Sequence, residues 1–375
     1  MNLDFSEEQE VLREMVRGVC AEYAPMDVVR EMEDDPTGYP AELWKQLAEL
    51  GLLGLLIPES LGGANQGMLE AAIVYEELGR ALTPSPHFAS AVIGARALLE
   101  AASEVQQREW LTKIASGEAI LTPAWTEPQR GFGPLGVQLR AQPESGDFVL
   151  SGVKRHVPFA SSAVRLLVLA RTGDGERDVD LFLVDPKADG VILTQQKSLG
   201  SDTQYRVDFD GVRVSGADRL GAPGSGWASW DAVMQDAIIL LAAQAGGGAE
   251  RALEITVQYA KDRVQFDKPL GAFQAISHYL ADAITHVDGA RTLVWEAAWA
   301  RDNGASVARL APMAKFFACQ TYRDVTAMCE QVWGGVGFSI EYDIQLYFRR
   351  AKQLQLTWWD TRYLEELVAA DVLDR

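Results

Sequence analysis

Cysteine and histidine are both scarce in this 375-residue chain. The three cysteines, Cys20, Cys319 and Cys329, form no CxxC pair and no zinc spacing, so a disulfide framework is excluded and reduced thiols are expected. The four histidines, His87, His156, His278 and His286, lie scattered and give no metal cluster. Positive charge is also short. Against 53 Asp and Glu stand 34 Lys and Arg, a formal net charge of −19. Without a compensating basic run, such a surface repels phosphate backbones and anionic lipid, so neither nucleic-acid nor membrane binding is expected. The longest apolar stretch, 238–249, carries Gln244 and three glycines and falls short of the roughly 20 residues of a membrane span. The opening MNLDFSEEQE is acidic and polar, unlike a signal or transit peptide, and a cytoplasmic protein is expected.

What is present is an ordinary globular composition, 48% apolar and 23% charged, at a length suited to two or three domains. Three textures follow one another. In the first, Ser6 followed by Gln9 has the form of a capping box, and Leu12, Met15, Val16 and Val19 keep a helical stripe. An apolar run over 43–57 stops at Pro58, and a helix over 68–82 is closed by Thr83-Pro84-Ser85-Pro86. From about Ala119 the period drops to two, predicting strands at 137–141, 148–153, 163–170, 179–184, 191–194 and 205–214. Their spacing fits a small antiparallel barrel or sandwich. Helices then return at 232–260, 272–301, 307–330 and 361–373, the first being unusually apolar and glycine-rich and so expected inside a bundle or at a subunit interface. The chain is therefore read as α+β: an N-terminal helical domain over 1–118, a middle β domain over 119–229, and a C-terminal four-helix-bundle-like domain over 230–375.

Three segments could carry chemistry. Gln331-Val332-Trp333-Gly334-Gly335-Val336-Gly337 is a glycine-rich turn after a long apolar helix, suited to close approach of a phosphate or flat cofactor, or else to a simple helix cap. Arg263-Val-Gln-Phe266 with Lys268-Pro269 offers two cations and a ring at a helix end. Thr126-Glu127-Pro128 stands before the strands and could orient a ring system, or be only a loop.

Their order in an α–β–α chain resembles the acyl-CoA dehydrogenases, and the resemblance runs end to end. Asp4-Phe-Ser-Glu-Glu-Gln9, Leu47-Ala-Glu-Leu-Gly-Leu-Leu-Gly54 and Glu76-Glu-Leu-Gly-Arg80 are similar to the family's first helices. Thr126-Glu-Pro128, Leu150-Ser-Gly152 with Lys154, and Val207-Asp-Phe-Asp-Gly-Val-Arg-Val214 are similar to its β-domain signatures. Arg263-x-x-Phe266-x-Lys-Pro-Leu270, Phe273-Gln274 and Gln331-x-x-Gly-Gly-x-Gly-Phe338 are similar to its C-terminal ones. The resemblance implies FAD held between the β domain and the C-terminal bundle, an acyl-CoA thioester against the flavin, and electron-transfer flavoprotein as acceptor. The implied reaction is α,β-dehydrogenation: a carboxylate takes the α-proton and the β-hydride passes to the flavin. Trp125 and Thr126 match flavin-contacting positions, and His156 and Val157 match a segment beside the ring. Arg263, Phe266, Gln274 and Gln331, Val332, Trp333, Gly334 and Gly335 match positions reaching the pyrophosphate and adenosine of a neighbouring subunit's FAD. Thr361 matches a further flavin contact.

The chain departs from that pattern where the base should be. The family's glutamate loop reads Trp358-Trp359-Asp360-Thr361, with Trp359 in the glutamate position, and the alternative helical site reads Ala237-Ile238. The nearest carboxylates, Asp360 and Asp236, are each one residue out of register, and Asp360 is equally suited to cap the last helix. Beside the flavin stands Pro158, which has no N–H to give. The cross-interface group survives, so the pattern resembles the partner subunit of heteromeric, α2β2 acyl-CoA dehydrogenases for bulky substrates such as steroid side chains. Two other readings stay open: a self-sufficient homo-oligomer using Asp360 or Asp236, and a non-catalytic subunit that binds FAD or acyl-CoA.

Overall fold

The computed structural model describes residues 4–128 and 131–373. Positions 1–3 of the opening segment, 129–130 of the middle region and 374–375 at the end lie outside the described residues. The first third holds α1 (Glu7–Tyr23), α2 (Met26–Glu31), α3 (Ala41–Glu49), α4 (Met68–Arg80), α5 (Ala95–Ala101) and α6 (Glu104–Ala115). Strands follow: β1 (Leu121–Ala124), β2 (Arg140–Glu144), β3 (Asp147–Pro158), β4 (Arg165–Arg171), β5 (Val179–Val184), β6 (Val191–Gln196), β7 (Gln204–Val214) and β8 (Arg219–Leu220). Then come α7 (Gly226–Asp262), a hairpin of β9 (Val264–Gln265) and β10 (Lys268–Pro269), α8 (Gln274–Asp302), α9 (Leu310–Trp333), α10 (Ile344–Leu356) and α11 (Thr361–Leu373). By packing, residues 1–29, 68–83 and 238–375 form one compact unit, and 30–67 and 84–237 form another. Contacts thus cut the chain elsewhere than periodicity does, because periodicity records local structure and not what an element packs against.

The second unit is built on one mixed sheet in the order β6-β7-β3-β2-β4-β5-β8. Its pairs are mostly antiparallel, but β1 runs parallel to β4, with Leu121 opposite Arg165. Strand β2 also meets β4 in parallel, at Arg140 opposite Arg171, while the other five pairings are antiparallel as expected. Strand β1 escapes sequence reading because Leu-Thr-Pro-Ala is short, buried at every position and contains proline, so it shows no alternation. Strands β4 and β5 are buried almost throughout and form the core of this unit.

In the first unit the capping box forms as expected: Ser6 N–H donates to Gln9 Oε1 (3.0 Å) and Gln9 N–H to Ser6 Oγ (3.2 Å). The glycines of α7 serve packing inside the chain. A Cβ at Gly247 would strike the Glu76 carbonyl oxygen, and one at Gly79 would strike that of Gln244. Helices α4 and α7 therefore meet backbone to backbone. Helix α7 is, among the described residues, long and apolar enough to cross a membrane, contrary to the sequence reading; 83% of its most apolar window is buried, as in a core helix. Helix α10 is likewise absent from the sequence reading, since its apolar residues are interrupted by Arg349, Arg350 and Lys352.

Glu76 and Glu77 are buried at the end of α4 and gather the unit's arginines. Arg17 grips Glu77 with two hydrogen bonds (2.9 and 2.8 Å), and Arg80 continues to Glu250 and Glu254 (2.8 Å each). Glu76 accepts from Trp295 Nε1 (2.7 Å) and faces Arg13 and Arg291 at 3.6 and 3.7 Å. Burial outweighs these cations and raises its carboxyl from 4.5 to about 7. The fold therefore takes up a proton on Glu76 in that interval. Stability from this group is full below the lower value and is lost as pH rises through the upper one. Denaturant unfolding of wild type and Glu76→Gln from about pH 5 to about pH 8 should show wild type losing stability relative to the variant. Parallel profiles would show that Glu76 does not titrate there.

Candidate active site

In the second unit, Trp125 follows β1 and packs on Trp230 (ring centroids 5.1 Å) and Phe132 (5.7 Å). Thr126 is tied to β3 in both directions: its hydroxyl donates to the Arg155 carbonyl (2.5 Å), and Arg155 N–H donates to the Thr126 carbonyl (2.9 Å). Glu127 is the anchor of this loop. Its Oε1 accepts from Lys154 Nζ (2.7 Å) and from the N–H groups of Gln138 and Leu139 (2.9 Å each). Lys154 is fully buried, reaches the Trp125 carbonyl at 3.1 Å, and has its pKa pushed down by that burial against the pull of Glu127. The Thr-Glu-Pro and Lys154 motifs are thus one buried ionic clamp that fixes the backbone of Trp125 and Thr126.

His156 follows on β3 at a register shift between Lys154 and Val157, with φ of +55°. The extra residue turns its ring outward while Val157 is buried. Its Nδ1 lies 2.5 Å from Gln204 Oε1, so Nδ1 carries the proton. Pro158 offers its carbonyl, which accepts from Thr122 Oγ1 (2.5 Å).

In the first unit, Arg263, Phe266 and Gln274 lie on and beside the β9–β10 hairpin. Its two-residue turn, Phe266-Asp267, has φ of +52° and +64°, the left-handed pair that a tight hairpin requires. All three side chains are exposed, as is Gln331. Among the described residues the Arg263 guanidinium has no partner. Val332 is buried, while Trp333 stacks on Tyr259 (4.1 Å, 11°) and donates to Thr256 Oγ1 (3.0 Å). That stack holds Gly334 and Gly335 at the helix end, where an added Cβ would meet nothing within 4 Å.

The loop carrying the expected base position is shaped by a residue that sequence reading missed. Lys315 is a lone charge in the apolar run of α9, and that isolation was the available signal. It is fully buried, and its Nζ donates to the carbonyls of Leu354 (3.2 Å), Thr357 (2.8 Å) and Trp359 (2.7 Å). It thereby caps the end of α10 and pins the following turn, in which Trp358 and Trp359 both take positive φ (+54° and +69°). Trp359 is fully buried beside Tyr363. Asp360 Oδ1 accepts from Tyr363 N–H (2.9 Å), the N-cap bond of α11, which Thr361 opens. Asp236, 2% exposed, is ion-paired to Arg96 at 2.6 Å.

The chain matches the acyl-CoA dehydrogenase N-terminal domain over residues 6–118, the middle domain over 122–212 and the C-terminal domain over 224–358. It belongs to the acyl-CoA dehydrogenase family. Members are oxidoreductases acting on the CH–CH bond of acyl-CoA thioesters. A relative, the probable acyl-CoA dehydrogenase YngJ of Bacillus subtilis, is 32% identical over 95% of both chains. Among solved structures, a chain of the ChsE4–ChsE5 complex of Mycobacterium tuberculosis is 28% identical, with a TM-score of 0.90 and full coverage of both chains. A variant of the steroid acyl-CoA dehydrogenase Tcur3481–Tcur3483 is 32% identical with a TM-score of 0.87, covering 98% of this chain and 99% of that one.

Because Asn caps a helix as well as Asp, Asp360→Asn should leave thermal stability unchanged, whereas Asp360→Ala should lose about 1 kcal/mol. Equal losses in both variants would mean that the charge of Asp360 matters beyond the cap.

Proposed function

We propose that this chain is the base-lacking subunit of a heterotetrameric, FAD-dependent acyl-CoA dehydrogenase whose homologous partner carries the base. One observation carries the reading: buried Trp359 occupies the position matched to the family's glutamate, and the two carboxylates that lie one residue out of register are already engaged. A general base must be free to reach the proton it removes. Asp360 is held by its cap, and Asp236 is paired with Arg96. The self-sufficient reading would have to break one of these bonds in every turnover. Relatives that occur as a two-component complex or act on steroids support a heteromer and a bulky, steroid-type acyl-CoA.

FAD, when bound, supplies the hydride acceptor. The residues facing it fit unevenly. Arg263 has an exposed, unpaired guanidinium that suits a pyrophosphate, and the exposed amides of Gln274 and Gln331 add donors and acceptors. On the flavin-ring side, the Thr126 hydroxyl is spent on Arg155, and Pro158 has no N–H. The Glu127–Lys154 clamp orders the main chain there, and His156 leaves Nε2 outside its bond to Gln204. This chain is therefore better equipped to complete a neighbour's cofactor site than to run its own, and oligomerisation follows from that. Electron-transfer flavoprotein is the acceptor we assign to the assembled enzyme.

The deciding experiment compares the chain alone with the chain co-expressed with a base-bearing homologue. Alone it should be poorly flavinated and nearly inactive towards acyl-CoA. Together the two should form an α2β2 complex with fewer FADs than subunits. A yellow homotetramer that bleaches on adding acyl-CoA would overturn the proposal. Within the complex, Arg263→Ala should lower FAD retention without unfolding the protein, since a charged hydrogen bond of this kind is worth about 1.5–3 kcal/mol. Full flavin occupancy in that variant would sink the cross-interface assignment.

A further inference from the structure

Buried Glu330, whose carboxyl oxygens have no partner among the described residues, borders the glycine turn and belongs with the cofactor contacts read above. A different cavity takes no part in them. It opens in the first unit, where α1 and the start of α2 meet α4 and α7, and holds about 300 Å³, the small end of the range for ligand pockets. Arg17, Arg80 and Arg251 line it, and among the described residues Glu77 is the one acid in its wall. So cationic a lining is unexpected in a chain of net charge −19. The rest of the wall is short and apolar, with Ala21, Ala24, Pro25 and Met26 beside the buried Cys20 thiol.

The arginines are held but not exhausted. Arg17 spends Nε and Nη2 on Glu77, and its Nη1 has no partner among the described residues. Arg80 is tied to Glu250 and Glu254, neither of which lines the cavity. Arg251 gives Nη1 to Glu254 (2.9 Å) and stays 44% exposed. These pairings fix the guanidinium groups before any guest arrives, so little side-chain freedom is lost on binding. A carboxylate suits the fork of a guanidinium, two coplanar oxygens against two N–H groups. The apolar floor offers no hydrogen bonds but takes a short alkyl body. A phosphate dianion would leave that floor unused and bring a second negative charge towards Glu77.

We propose that this cavity binds a small free carboxylic acid as its anion, with the carboxylate between Arg17 and Arg251 and the alkyl body on Ala24, Pro25 and Met26. Hydrolysis of an acyl thioester is the class of reaction that supplies such a ligand. The inference goes beyond the subunit reading and uses none of its site residues.

The test uses the purified full-length chain, titrated calorimetrically with hexanoate, with hexanamide, which has the same shape and no charge, and with inorganic phosphate. Hexanoate should bind about tenfold more tightly than either, the worth of a charged hydrogen bond. Arg251→Gln removes one charge from an exposed pair and should weaken hexanoate about tenfold while leaving hexanamide unchanged. Ala21→Phe puts a ring on the exposed face of α1 at the cavity wall and should abolish hexanoate binding. Should Arg251→Gln fail to fold, Ala21→Phe decides. Equal binding of hexanoate and hexanamide, no binding of hexanoate, phosphate binding as tightly as hexanoate, or hexanoate affinity unchanged in either folded variant would overturn the proposal. None of these outcomes bears on the subunit reading, which stands or falls on co-expression.

Discussion

The backbone contact between α4 and α7 is the constraint on which the helical unit depends. Two glycines, Gly79 and Gly247, each face a carbonyl of the other helix at a distance that admits no side chain. Contact that close brings Glu76 and Glu77 into the interior, where arginines from α1, α4 and α8 satisfy them and glutamates of α7 extend the network. The Glu-Glu-Leu-Gly-Arg signature is therefore a packing device: the glycine permits the approach and the charges lock its register. From this frame project the hairpin of Arg263 and the turn after α9.

The β unit solves a similar problem with one ion pair. Lys154 and Glu127 are both buried, and Glu127 accepts three hydrogen bonds. Breaking such a pair leaves an uncompensated charge inside, a far larger loss than a surface pair would bring. The residues that give the loop its family signature thus hold the main chain in place, and the side chains that could meet a flavin are carried on the result.

Around Trp359 the side chains serve the fold. Lys315 gathers three carbonyls and gives the turn its left-handed shape, Asp360 starts the next helix, and a large apolar ring fills the interior. Asp360 there holds the cap of α11, and in the other unit Asp236 is paired with Arg96. The unspent groups lie elsewhere: exposed Arg263, Gln274 and Gln331, and buried Glu330.

The sequence by itself determined the order of helical and strand segments, the capping box at Ser6, the strand over Val179–Val184, the family and the absence of glutamate at position 359. These are legible because caps, alternation and motif residues act over a few neighbouring positions. It did not reveal β1, whose buried residues show no alternation, nor α10, whose stripe is broken by cations. It offered Asp360 as either base or cap, and left the glycines of α7 between bundle and subunit interface. Tertiary structure decided other things: which carbonyl each glycine faces, that Asp360 bonds Tyr363, that Asp236 meets the sequence-distant Arg96, and that Lys315 and Glu330 are buried, one satisfied and the other not. A side chain's charge is written in the sequence, but whether that charge is spent depends on partners that only long-range packing brings within reach.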